Sequence, residues 1–218
     1  MKVALIMSGH LRCYRDCYQS IKRNILDTTN CDVFMHLYDC EDVSDSLSLY
    51  NPKNYIVTRV DDPVSYSVDP VCRMYKASET DVDGVFSMWS NLKKAFDLVG
   101  SDYDCVIKGR YDIKFSAPLQ LKSLDMGCLN IPEGGDWRGG MFDMFAVSSY
   151  QNMKHYCSLI DFLNQYNRDE RILFHPEIML RHHIREYPVV RFPFPVYLRK
   201  KYERGVLEDK IFTVLPPS

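Results

Sequence analysis

The run Asp104–Phe115, DCVIKGRYDIKF, carries an apolar strand that ends abruptly in Arg110, Tyr111 and Asp112. Such a strand, delivering a cation and a carboxylate to its C-terminal end, suits an α/β ligand site, because ligands in such folds sit beyond the carboxyl ends of strands. A carboxylate there can hold a hard divalent ion that in turn holds a pyrophosphate, and a guanidinium can contact an anionic oxygen directly. Phosphate-ester chemistry is the class of reaction this pairing suggests. Taken alone, the three residues are explained about equally well by a strand-end ion pair with no ligand.

Further candidates lie along the chain. Ser8-Gly9-His10-Leu11-Arg12 follows a first apolar strand and opens a helix, where backbone N–H groups and Arg12 can meet a nucleotide. His36 and Asp39 end the second strand within reach of a base or ribose, although a strand histidine is more often satisfied internally. Lys94, on the second long helix, joins this donor-binding set as a further cation. Asp143 interrupts the apolar run Met141–Val147, and a carboxylate there could take the proton of an acceptor hydroxyl. His175 and Glu177 make a second candidate catalytic pair at the mouth of the fourth helix, where dipole and capping also account for them. Asp81-Val82-Asp83 is a literal Asp-x-Asp and ranks second to Asp112 as a metal site, since carboxylates before a helix are favoured without any ligand. Arg199, Lys200 and Lys201 could close over a pyrophosphate or simply be solvated.

The elements that must position these groups alternate. Lys2–Ser8, Val33–Leu37 and Tyr55–Val60 read as strands, and Tyr14–Leu26 as an amphipathic helix between the first two, a βαβ opening. Asp61–Thr80, with Pro63 and Pro70, reads as a long loop near the site. A helix over Gly84–Leu98 feeds the Cys105 strand. Two short apolar segments follow, Cys128–Ile131 and Met141–Val147, separated by a loop holding four of the ten glycines and Trp137. Ser149–Leu163 reads as a helix capped by Ser149, Pro176 opens a fourth helix, and Val189–Phe194 is extended. The expectation is one α/β domain over residues 1–212, a Rossmann-like, mostly parallel central sheet flanked by helices, with 213–218 as a linker-like tail.

Composition narrows the function. With 218 residues, 27 basic against 29 acidic side chains and a net charge of −2, the chain has no basic stripe suited to nucleic acid. No apolar run approaches the roughly 20 residues of a membrane helix, and the N-terminus lacks the flanks of a signal peptide, so a soluble cytoplasmic protein is expected. Eight cysteines without paired C-x-x-C spacing argue against a zinc ribbon and read as reduced thiols. Fifteen tyrosines and 11 phenylalanines leave rings for a sugar-binding cleft.

Three segments in order resemble a GT-A-fold glycosyltransferase family of large DNA viruses and of bacterial capsule and lipopolysaccharide synthesis. They are ALIMSGHLRCYRDCYQSIKRNIL with CDVFMHLYD, SMWSNLKKAFDL leading into YDCVIKGRYDIKF, and MFDMFAVSSYQNMKHYCSLI with FHPEIMLRHHI. The opening and ending look closest to N-terminal modules of chlorovirus multidomain glycosyltransferases, and that resemblance implies a viral protein working in host cytoplasm, with further domains of a longer chain as candidate partners. The resemblance implies a UDP-sugar donor, a divalent ion (Mn2+ or Mg2+) and a glycan hydroxyl as acceptor. In that fold the last carboxylate of an Asp-x-Asp after a central strand binds the metal. Asp112 inherits this role, while Arg110 departs from the pattern. Glucose or a deoxyhexose such as rhamnose would be moved, with inversion slightly favoured. Two rivals stand beside this reading: a catalytically silent nucleotide-sugar or glycan binding module, and a nucleotide-sugar hydrolase or nucleotidyltransferase. No P-loop signature is present.

Overall fold

Val3–Met7 (β1) is buried at every position, as expected of an inner strand covered on both faces. It pairs in parallel with Asp32–Tyr38 (β2) on one side and with Cys105–Gly109 (β4) on the other; Asn54–Thr58 (β3) continues the sheet beyond β2. The computed structural model describes residues 1–39, 42–60, 66–201 and 207–211. Ala146–Ser149 (β7) runs antiparallel beside β4, then Leu129–Pro132 (β6) and Val189–Phe192 (β8) complete a seven-stranded sheet of order β3-β2-β1-β4-β7-β6-β8. Four of its six pairings are parallel. The sheet is flanked by helices, so the chain has the α/β, Rossmann-like architecture its alternating pattern predicts. A small second sheet joins Ile113–Phe115 (β5) to Val196–Lys201 (β9) and Leu207–Ile211 (β10), all antiparallel.

The Val82–Asp97 helix buries Val85, Phe86, Trp89, Leu92 and Phe96 at helical spacing and packs across β1, β2 and β3. Ser149 caps the Tyr150–Cys157 helix as expected, accepting from the Asn152 N–H. The expected Tyr14–Leu26 helix is α-helical only to Ile21. Lys22–Leu26 widens into a π turn, and Asn24 there donates to the Phe115 carbonyl at 2.7 Å and accepts from the Leu119 N–H at 2.8 Å. The helix expected over Ser149–Leu163 stops at Cys157 and gives way to a tight turn and a separate Leu163–Glu170 helix. The Asp61–Thr80 loop contains a short helix, Pro70–Met74, with Asp69 as its cap; residues 61–65 lie outside the described residues. The Val43–Tyr50 helix between β2 and β3 lacks a strong apolar stripe, which hides it from periodicity.

The described cysteines are all free thiols, and Cys40 lies outside the described residues. The proposed tail, 213–218, also lies outside them. Among the described residues no helix is long and apolar enough to cross a membrane.

Candidate functional site

Strand order and register create the site. Connections run outward from β1 through β2 to β3 and on the other side through β4, so the crevice beyond the carboxyl ends of β1 and β4 is a switch point of the sheet. Met7 pairs with Gly109, and therefore Ser8 and Arg110 leave the sheet side by side. β7 enters antiparallel with Ala146 opposite Lys108, which brings Asp143, three residues earlier, to the same end. The Val82–Asp97 helix closes the opposite wall with Asp81, Asp83, Trp89 and Asn91. Together these segments line a cleft of about 500 Å³, a size suited to a small ligand.

Tyr111 fixes the geometry at the strand end. Fully buried, its hydroxyl meets the Met7 carbonyl at 3.2 Å and the His36 carbonyl at 2.9 Å, pinning the turn to β1 and β2. Its neighbours on either side then face the cleft, as alternation along an extended chain requires. Arg110 donates through Nε to Asp112 Oδ1 at 2.8 Å and through an Nη to Oδ2 at 2.7 Å, a bidentate pair. Asp112 is only 4% exposed, and burial alone would raise its carboxyl; the Arg110 guanidinium, with Arg12 beyond it, overrides burial and holds it below the ordinary value.

This donor set does not fit a metal ion held at Asp112. Both of its oxygens accept from Arg110, and among the described residues no three His, Cys, Asp or Glu side chains converge as ligands. Asp81 and Asp83 also line the cleft, but Asp83 is clamped by Arg73 at 2.9 and 2.7 Å. Asp81 precedes the helix without making the side-chain cap expected of it.

Asp143 is 7% exposed and lines the cleft, and its carboxylate makes no hydrogen bond among the described residues. Its backbone is held instead. The Asp143 carbonyl accepts from Lys108 Nζ and from the buried Tyr156 hydroxyl at 3.4 Å. Neighbouring amides are spent elsewhere: Met141 N–H donates to the Glu177 carbonyl and Phe142 N–H to Asp136 Oδ1. That is why residues 141–145 of the apolar segment Met141–Val147 join no ladder, and β7 starts only at Ala146.

At the other end of the cleft the His10 and Tyr38 rings stack with centroids 4.8 Å apart, and Asn91 Nδ2 donates to the Tyr38 hydroxyl. Gly9, at φ 111°, takes a backbone conformation that disfavours a side chain and lets the chain turn away from β1.

The structure thus gathers Ser8, Gly9, His10, Arg12, Asp81, Asp83, Arg110, Asp112 and Asp143 around one cavity. Six predicted residues do not line it. His36 is fully buried, its Nε2 bonded to Thr58 Oγ1 at 2.9 Å, and burial pulls it down to about 4, so it is a neutral strand histidine. Asp39 is exposed past the end of β2, and Lys94 is half-buried and does not line the cleft, although its charge disfavours protonation of His36. His175 does not cap its helix; its ring stacks on Trp137 at 3.9 Å. Glu177 accepts from the Trp137 N–H and, mainly through burial, is pushed up to about 7. Both residues fasten the glycine loop to the Pro176–His183 helix. Arg199 pairs with Asp209 at 3.0 Å in the small sheet. Sequence reasoning missed Lys108, Tyr38 and Asn91. Lys108 had a usable signal, a charge inside an apolar strand like that of Asp143, whereas Tyr38 and Asn91 look like ordinary strand and helix residues.

Comparison with known proteins finds no matching protein-family model and no matching curated protein.

Proposed function

We propose that this cleft binds a nucleoside diphosphate sugar, most simply a UDP-sugar, and that the protein is a GT-A-type glycosyltransferase moving a hexose such as glucose or rhamnose to a glycan hydroxyl. The observation that carries the reading is the pairing, in one cavity at the switch point of the sheet, of guanidinium groups from Arg12 and Arg110 with the unbonded carboxylate of Asp143. Guanidinium groups match phosphate oxygens, and a carboxylate opposite them is placed to remove a proton. The stacked His10 and Tyr38 rings offer a surface for the base and ribose.

In this reaction the acceptor oxygen attacks the anomeric carbon as the bond from that carbon to the diphosphate oxygen breaks. The electron pair leaves with the diphosphate, where Arg110 and Arg12 offset the growing charge. The acceptor proton passes to Asp143. Attack on the face opposite the leaving group inverts configuration and requires only this one base. No step is assigned to a metal ion, because Asp112 is engaged by Arg110.

Asp143→Asn tests the assignment: transfer from UDP-sugars, followed as UDP release with a glycan acceptor, should be abolished while donor affinity by calorimetry is kept. Normal turnover in this variant would remove Asp143 from the mechanism. A panel of nucleotide sugars with and without Mn2+ separates an enzyme from a silent binding module, which would bind donor and release no UDP.

A further inference from the structure

Lys108 has no part in the reaction just described, yet it is an expensive residue to place where it lies. It sits in β4, a central strand, and is 4% exposed. An ammonium out of water is costly unless it is paired and hydrogen-bonded. Its bonded partner is a backbone carbonyl, that of Asp143. Alternation along the strand puts it on the same face as Arg110, and both line the cleft. A purely structural role is poorly served by a charge, since the Tyr156 hydroxyl already donates to the same carbonyl.

We propose that Lys108 is a third cation of the donor site, contacting the diphosphate through its ammonium while its bond to the Asp143 carbonyl sets the distance between base and leaving group. The inference rests on the reading of the cleft as a nucleoside diphosphate site. The geometry has a thermodynamic consequence. Burial pulls Lys108 down to about 8, with Arg110 pushing the same way and the carboxylates of Asp143 and Asp112 and the thiol of Cys157 opposing. An arriving diphosphate favours the charged ammonium, so the free protein, about half of it neutral at pH 8, must take up about half a proton on binding.

Calorimetry of UDP binding at pH 8, in two buffers of different ionisation enthalpy and with and without Mn2+, reads this directly. Wild-type protein should take up about half a proton per UDP bound. Lys108→Met should weaken UDP binding by about 10- to 100-fold, the range of one charge-assisted hydrogen bond, and abolish the uptake. Lys108→Arg, charged at every accessible pH, should keep more of the affinity and also show no uptake. A Lys108→Met protein that unfolds like wild type and binds UDP with wild-type affinity and proton uptake overturns the inference and leaves the donor site standing. Loss of turnover with unchanged UDP affinity would reduce Lys108 to a positioning residue and also overturns it. If wild-type protein binds no UDP under any of these conditions, the donor reading fails first and takes this inference with it.

Discussion

Replacing Arg110 by methionine strands the Asp112 carboxylate. In the native arrangement that carboxylate is 4% exposed, and both its oxygens are bonded to the guanidinium. Removing one partner of a buried pair typically costs about 3–5 kcal/mol, because the remaining charge is left without compensation. Arg110 is itself about a quarter exposed to the cleft, with 26% of its side chain accessible, so water can partly replace it, and a cost of about 3 kcal/mol is the reasonable figure. For a chain of this size that lowers the melting temperature by about 6–12 °C. The pH dependence identifies the cause. Asp112 is held below its ordinary value in the wild type, so its contribution to stability is present above the unfolded value and lost as pH falls through the folded one. Without Arg110, burial dominates and the carboxyl takes up a proton more readily; the deficit of Arg110→Met should therefore be greatest near pH 7 and shrink toward pH 4. Asp112→Asn leaves no buried anion and should cost less, while releasing the guanidinium to bind phosphate. Thermal unfolding of both variants at pH 7 and pH 4.5, with UDP binding beside it, checks all three points. A deficit for Arg110→Met that is unchanged with pH, or an Asp112→Asn protein that is the less stable of the two, would refute the reasoning. Loss of UDP binding in Asp112→Asn would return the metal role to that carboxylate.

Other outcomes follow from the packing. Gly140→Ala should lose about 1–3 kcal/mol in thermal unfolding, because a Cβ there would lie 2.7 Å from Glu177 Cβ and 2.8 Å from the Glu177 carbonyl carbon. Glu177 holds its proton up to about 7 in the fold and releases it lower when unfolded, so the stability it contributes in acid is lost as pH rises from about 4.5 to 7; Glu177→Gln should gain on the wild type between pH 5 and pH 8 in denaturant titrations. His183 is neutral and 3% exposed, accepting from the Tyr166 hydroxyl and donating to the His155 carbonyl, and burial holds it at about 4. The unfolded chain protonates it near its usual value, so stability should fall as pH drops from about 6.5 to 4, by up to about 3 kcal/mol, and the acid slope should flatten in His183→Gln.

What could be read from the chain divides along a physical line. Local signals were legible: the apolar run at Val3–Met7, the cap at Ser149, Pro176 at a helix start, and the abrupt change from apolar to charged at Arg110. They depend on a few neighbouring residues. The sequence pattern also led to nine of the residues that line the cleft. What it could not supply is which groups bond across the fold. The Lys108 bond to the Asp143 carbonyl depends on which strand lies beside β4, and the place of Glu177 under Trp137 depends on how a loop lies on a helix; spacing alone carries no trace of either. The apolar segment Met141–Val147 divides into a loop and the start of β7 for the same reason, since apolar character marks burial and says nothing about whether the amides find a strand or a loop.

The cost of the arrangement also argues for a ligand. Lys108, Asp112 and Asp143 are all less than a tenth exposed and crowd the ends of two adjacent strands, where apolar side chains would pack at lower cost. Asp112 is balanced by Arg110, but Lys108 is bonded to a carbonyl and Asp143 makes no side-chain bond among the described residues. A fold that needed only stability would have no use for an unbonded carboxylate and a buried ammonium on one cavity wall. A substrate that carries negative charge at one end and a hydroxyl proton at the other accounts for both groups. Double substitution of Lys108 by Met and Asp143 by Leu should therefore raise the melting temperature or leave it unchanged while eliminating transfer. A double variant that unfolds at least 5 °C below the wild type would show that the two charges serve the fold, and the case for the site would lose its energetic support.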